Sequence, residues 1–123
     1  MFTLAFDRRH KILLARVSGV VNSSEVAALD DAVVRFTARH GPTHDLMDFT
    51  SVSTVAVPIS KMVQRGQPSL NGAGYKRVVV VANGDLLALA RSATREPVIV
   101  SSLDEALQLL GARAASFEPV EQA

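Results

Sequence analysis

The sequence has no cysteine, no tryptophan and one tyrosine among its 123 residues. Without cysteine there are no disulfides, no thiolate metal centres and no cysteine nucleophile. Aromatic residues are 5% of the chain and are not interleaved with basic ones, so the stacking platforms that hold single-stranded nucleic acid are missing. The longest unbroken apolar runs are residues 78–82 and 86–90, five each, against about 20 residues for a membrane-spanning helix. Asp7, Arg8 and Arg9 interrupt the N-terminal apolar stretch and no basic segment precedes it. The sequence therefore reads as cytoplasmic rather than secreted. A net charge of +1 exerts no global pull toward nucleic acid or membrane.

What is present suits a folded domain. Hydrophobic residues are 48% and charged residues 20% of the chain, the proportions of an ordinary globular protein. The length is that of one domain, assigned to residues 1–115, with residues 116–123 as a C-terminal tail.

Strand and helix signals alternate. Phe2, Leu4 and Phe6 alternate with Thr3, Ala5 and Asp7, a strand with one buried face. Residues 7–11 are polar and read as a turn, and residues 12–17 form a second strand closed by Gly19, the pair making an antiparallel hairpin. Asn22 and Glu25 form a capping box ahead of Val26, Leu29, Val33 and Phe36, one helical stripe that Gly41-Pro42 stops. Residues 46–49 read as a short third strand. Pro58 opens a second helix with Ile59, Met62 and Val63 on its buried side. Residues 78–81 are valines without alternation, as in a strand covered on both faces. A third helix starts at residues 83–85, a last strand covers residues 97–100, and Ser102 and Glu105 cap a fourth helix. The expected architecture is α/β: a five-stranded, mostly parallel mixed sheet with an antiparallel edge strand and four helices.

Catalytic chemistry is not evident. Gly72-Ala73-Gly74 lacks a third glycine and precedes a strand where a dinucleotide motif follows one. Asp48 ends the expected third strand, where a phospho-accepting aspartate would stand. The acidic pair and the lysine that such chemistry needs are replaced by Ser18-Gly19 and Ser101-Ser102. His40 and His44 are separated by Gly41-Pro42, so they do not share a helix face as metal ligands do. Thr50, Ser51, Ser53 and Thr54 crowd one expected loop without an assignable histidine base, and no Gly-x-Ser-x-Gly elbow exists. The reading is a non-enzyme with neither cofactor nor metal.

Three segments carry a family likeness: residues 17–21 ahead of the first helix, Leu46-Met47-Asp48-Phe49-Thr50-Ser51-Val52, and residues 98–110 at the closing strand and helix. In order and spacing they resemble the STAS superfamily, and within it the SpoIIAA-like branch of small bacterial proteins. The resemblance implies a mixed sheet with helices and a regulatory binding role. Some relatives are anti-sigma-factor antagonists switched by serine phosphorylation, and the branch is also compared with lipid-carrying SEC14-type domains. In the phospho-switched antagonists the acceptor opens the second helix. Here that place reads Ala56-Val57-Pro58-Ile59, with no hydroxyl, so the resemblance implies a module without that switch.

Charge adds a candidate site. Residues 57–95 hold Lys61, Arg65, Lys76, Arg77, Arg91 and Arg95 against Asp85 alone, whereas the first 56 residues hold six acids and six bases. Lys61 with Arg65, and Arg91 with Arg95, are spaced to share helix faces, where like charges repel. These four are the candidate contacts for a phosphate, carboxylate or lipid head group, with Arg65 as the bidentate one. The functional expectation is a non-catalytic module for a small anionic or amphipathic ligand or a protein partner. A SEC14-like carrier and an enzyme of unrecognised class are the alternatives. The apolar first strand, with its outer edge unpaired, predicts a homodimer.

Overall fold

In a computed structural model of the chain, the described residues are 1–55, 75–82 and 98–120. β1 (Phe2–Asp7) and β2 (Ile12–Val21) form the expected antiparallel hairpin, with Phe2 opposite Val17 and Asp7 opposite Ile12. The turn between them is held by Asp7, whose Oδ1 accepts the N–H groups of Arg9 at 3.0 Å and His10 at 3.4 Å. α1 (Ser23–His40) starts where Asn22 Oδ1 accepts the Glu25 N–H at 2.9 Å. It stops at Gly41, whose φ of 83° ends the helix while its N–H bonds the Thr37 carbonyl. β3 (His44–Val55), β4 (Arg77–Val80) and β5 (Val98–Val100) then add in parallel, each beside the last. α2 (Leu103–Leu109) begins where Ser102 Oγ accepts the Glu105 N–H at 3.1 Å. β6 (Glu118–Val120) returns antiparallel to β1, giving the order β5-β4-β3-β2-β1-β6.

Two cores lie on the two faces of this sheet. Leu13, Ala15, Val17, Met47, Phe49 and Val79 pack against Val26, Val33 and Phe36 of α1. Ile12, Leu14, Leu46, Val78 and Val80 pack with Ala106, Leu103 and Leu107 of α2. Successive side chains of a strand point to opposite faces. A strand such as β2 or β4 that is covered on both sides must therefore be apolar throughout, which explains the unalternating runs.

Several expectations are corrected. Among the described residues the sheet has six strands, not five, because Glu118–Val120 of the expected tail pair with Leu4, Ala5 and Phe6. β1 is therefore not an edge, and the open edge on which a homodimer was expected is covered. The new edge carries Pro119, which has no N–H to offer a further strand. Gly19 does not close β2. It adopts a φ of 73° inside the strand, which continues to Val21. β3 is not short: the β-branched residues Thr50, Val52, Thr54 and Val55 carry it well past Phe49. Two helices, not four, are present among the described residues. The helices expected from Pro58 and from residues 83–85 lie outside them.

Candidate functional site

The lengths of the strands create a distinct rim at the C-terminal end of the parallel block. β4 pairs with β3 only from Asp45 to Asp48, opposite Arg77 to Val80. Beyond that point β3 runs on, and among the described strands it pairs with β2 alone. The register shifts twice on the way. Phe49 and Thr50 together face Val17, and Ser53 is an extra residue between the Gly19–Val52 and Val20–Thr54 pairs. Both insertions are β-bulges on β3, features that bend a strand and re-aim its side chains.

Asp48 organises the first bulge. Its Oδ1 accepts both the Thr50 N–H at 2.9 Å and the Thr50 hydroxyl at 2.6 Å. The carboxylate thus satisfies a backbone donor that the bulge removes from the ladder. Arg16, opposite in register, brings its Nε to 3.8 Å from Asp48 Oδ2. The arginine side chain is 60% exposed, so this contact contributes little.

The sequence-predicted residues divide clearly. Asp48, Thr50, Ser51, Ser53 and Thr54 do come together, but on a bulged strand rather than in the expected loop. Asp48 is buried and stands within β3 instead of ending it, while the four hydroxyl residues are exposed. Lys61, Arg65, Arg91 and Arg95 lie outside the described residues. Sequence reasoning missed the β2 side of the rim. Ser18, Gly19 and Val20 stand beside Ser51, Val52 and Thr54, and Val20 is 53% exposed. The signal was the pair of valines after Gly19, which extends the strand once glycine's left-handed backbone is allowed within it.

The other expected histidines are also placed. His40 is exposed and stacks on Phe36 with ring centroids 4.3 Å apart. His44 is half-buried, its Nδ1 accepts the Lys76 N–H at 3.0 Å, and its ring lies 5.1 Å from that of Tyr75. Burial, reinforced by the Lys76 cation, holds the His44 pKa below the usual imidazole value. His10 Nδ1 lies 2.6 Å from Oδ2 of buried Asp7. Burial opposes the charge on Asp7, but the His10 ring and the His10 and Arg9 N–H groups outweigh it and hold the carboxyl below its usual value.

From β2 to β5 the strands add in one direction only. Doubly wound sheets bind cofactors in the crevice where crossover direction reverses, and among the described strands this parallel block shows no such reversal. Among the described residues its C-terminal end presents exposed hydroxyls and a valine. The architecture is that of the STAS fold. A comparison with solved structures supports this: the structure of the anti-sigma factor antagonist SpoIIAA in its unphosphorylated form matches with a TM-score of 0.63 at 13% identity, over 90% of this chain and 98% of that one. The chain therefore has the SpoIIAA-like fold. Neither the protein-family profiles nor the curated proteins contain a match.

Proposed function

We propose that the protein is a non-catalytic regulatory module that binds a partner protein through the bulged β2–β3 rim. The observation that carries this reading is the β3 overhang, which aims Ser51, Ser53 and Thr54 outward beside exposed Val20 on a SpoIIAA-like fold. A mixed apolar and hydroxyl surface suits protein recognition, because it can be desolvated without stranding a charge. Asp48 serves the bulge rather than a reaction, since both hydrogen bonds to it are spent on Thr50. The relevant experiment is affinity purification of the tagged chain from its native cell, side by side with Val20→Asp. A stoichiometric protein partner recovered by the wild type and lost by the folded variant is expected. Equal recovery by both overturns the rim assignment.

Two finer points belong to the same reading. The module works without a serine switch at the start of the helix expected from Pro58, because residues 56–59 carry no hydroxyl. Incubation with a serine kinase followed by intact mass tests this. A stoichiometric phosphate on Ser53, Thr54 or Ser60 that alters partner binding refutes it. A small anionic ligand is assigned to Lys61, Arg65, Arg91 and Arg95 on their charge and spacing. Thermal shift against phosphate, nucleotides and anionic lipids at low ionic strength should respond in the wild type and weaken in Arg65→Ala. No response to any anion removes the assignment.

A further inference from the structure

The opposite end of the sheet has a different chemistry. Three separated segments converge where the parallel strands begin. The Lys11 carbonyl accepts the His44 N–H at 2.8 Å, tying the β1–β2 turn to β3. The Lys76 carbonyl accepts the Asp45 N–H at 2.9 Å and its own N–H reaches His44, tying β3 to the entry of β4. Phe6 packs edge-on to Phe36 at 4.9 Å, and Phe36 stacks on His40, tying the hairpin to the last turn of α1. Arg8, Arg9 and Lys11 in the turn, Arg39 at the end of α1 and Lys76 before β4 are all exposed at this end.

Nothing in the described structure neutralises them directly. The ion pairs among the described residues join the Met1 ammonium to Glu25, His10 to Asp7 and Arg16 to Asp48, so none includes these five cations. The acids at this end, Asp7 and Asp45, are 3% and 0% exposed. Glu118 is exposed opposite Phe6, with Arg113 in the connection that precedes it, one charge of each sign. Arg39 offsets the helix dipole. The same account does not extend to Arg8, Arg9 and Lys11, which crowd like charges into a β-turn.

We propose that this end of the sheet docks on an anionic lipid bilayer. Arg8, Arg9 and Lys11 share the tip of the β1–β2 hairpin, but β3 and β6 flank that hairpin within the sheet, so it is not a free ribbon that could enter a major groove; Arg39 and Lys76 come from a helix end and a strand entry. The rings here are engaged with one another, His40 on Phe36 and Tyr75 beside His44, leaving none for base stacking. Val98 at the start of β5 and Leu109 in the last turn of α2 are exposed large apolar side chains of this end, 39% and 38% exposed, too little apolar surface for deep insertion, so attachment is electrostatic and shallow. A plane of phosphate and carboxylate head groups suits basic points spread across one end of a domain. The surface lies at the opposite end of the strands from the partner-binding rim and does not depend on it.

The test is co-sedimentation of the full chain with vesicles of phosphatidylcholine containing about 30% phosphatidylserine, against phosphatidylcholine alone. Binding to the anionic vesicles only is expected, and it should vanish near 1 M salt, where screening acts over about 3 Å. Each basic residue close to the surface is worth about five-fold in partitioning, so Arg8→Ala/Arg9→Ala should weaken binding about thirty-fold and Lys76→Ala about five-fold. Both variants alter exposed side chains and should keep the wild-type circular dichroism. Absence of sedimentation with anionic vesicles overturns the proposal, as does undiminished binding by the double variant. Retention of a duplex DNA oligonucleotide without vesicle binding overturns it in favour of nucleic acid.

Discussion

Replacing Asp48 by alanine tests whether its carboxylate builds the rim. Two donors of Thr50 converge on one oxygen, at 2.9 Å and 2.6 Å. Hydrogen bonds to a charged group contribute about 1.5–3 kcal/mol each. Here they share one acceptor atom, and the Asp48 side chain retains 12% exposure, so water recovers part of the loss. The Arg16 contact adds at most about 1 kcal/mol. Asp48→Ala should therefore cost about 2–3 kcal/mol. Asp48→Asn keeps an acceptor without the charge and should cost about half as much. Thr50→Val removes the hydroxyl donor alone. Urea unfolding of the wild type, both single variants and the double variant Asp48→Ala/Thr50→Val closes a cycle in which a coupling of about 1 kcal/mol is expected. Amide exchange at Thr50 should accelerate in Asp48→Ala. A coupling near zero together with unchanged Thr50 protection would refute the argument that Asp48 holds the bulge.

Three further outcomes follow from local geometry. Gly19→Ala should cost about 1–2 kcal/mol from backbone strain alone, because φ is 73° and no atom lies within 4 Å of the added methyl; a melting temperature equal to wild type counts against the bulged geometry. Removing residues 116–123 uncovers the Leu4–Phe6 edge and should make the truncated chain self-associate more than the full chain by light scattering. An unchanged mass and melt would mean that β6 protects nothing. The folded-state pKa of His44 lies below its ordinary 6.5, through burial and then Lys76. As pH falls through 6.5 the unfolded chain takes up the proton first, so stability declines and levels off only below the folded pKa. His44→Gln should flatten this part of the pH–stability curve, and an identical curve would remove His44 as its cause.

The legible parts of the fold were those set by local rules. The Asn22 cap, the Val26–Val33–Phe36 stripe and the Gly41 stop each act within one helix. The valines of β4 announce a strand buried on both faces. Pairing partners were harder to read. Nothing in Glu118-Pro119-Val120 taken alone specifies a strand, and proline argues against one. Those residues become a strand only because β1 offers an open edge that Phe117 and Val120 can reach while packing on the two cores. The candidate site was half legible for a related reason. The cluster of hydroxyl residues after Asp48 was visible, but a β-bulge is defined by its partner strand. Thr50 and Ser53 count as insertions only against Val17 and Val20.

The same logic explains why the basic end escaped a charge count. The first 56 residues hold six acids and six bases, and in sequence they look neutral. The fold sorts them. Asp7 and Asp45 turn inward, Asp48 stays in its bulge within β3, and Glu25 sits at the N-terminal end of α1. Arg8, Arg9, Lys11 and Arg39 remain exposed where the hairpin turn meets the end of α1. Charge at contact range acts through surface position rather than through the sum. A domain of net charge +1 can therefore present a cationic end to an anionic surface, with the rim proposed for a partner at its other end.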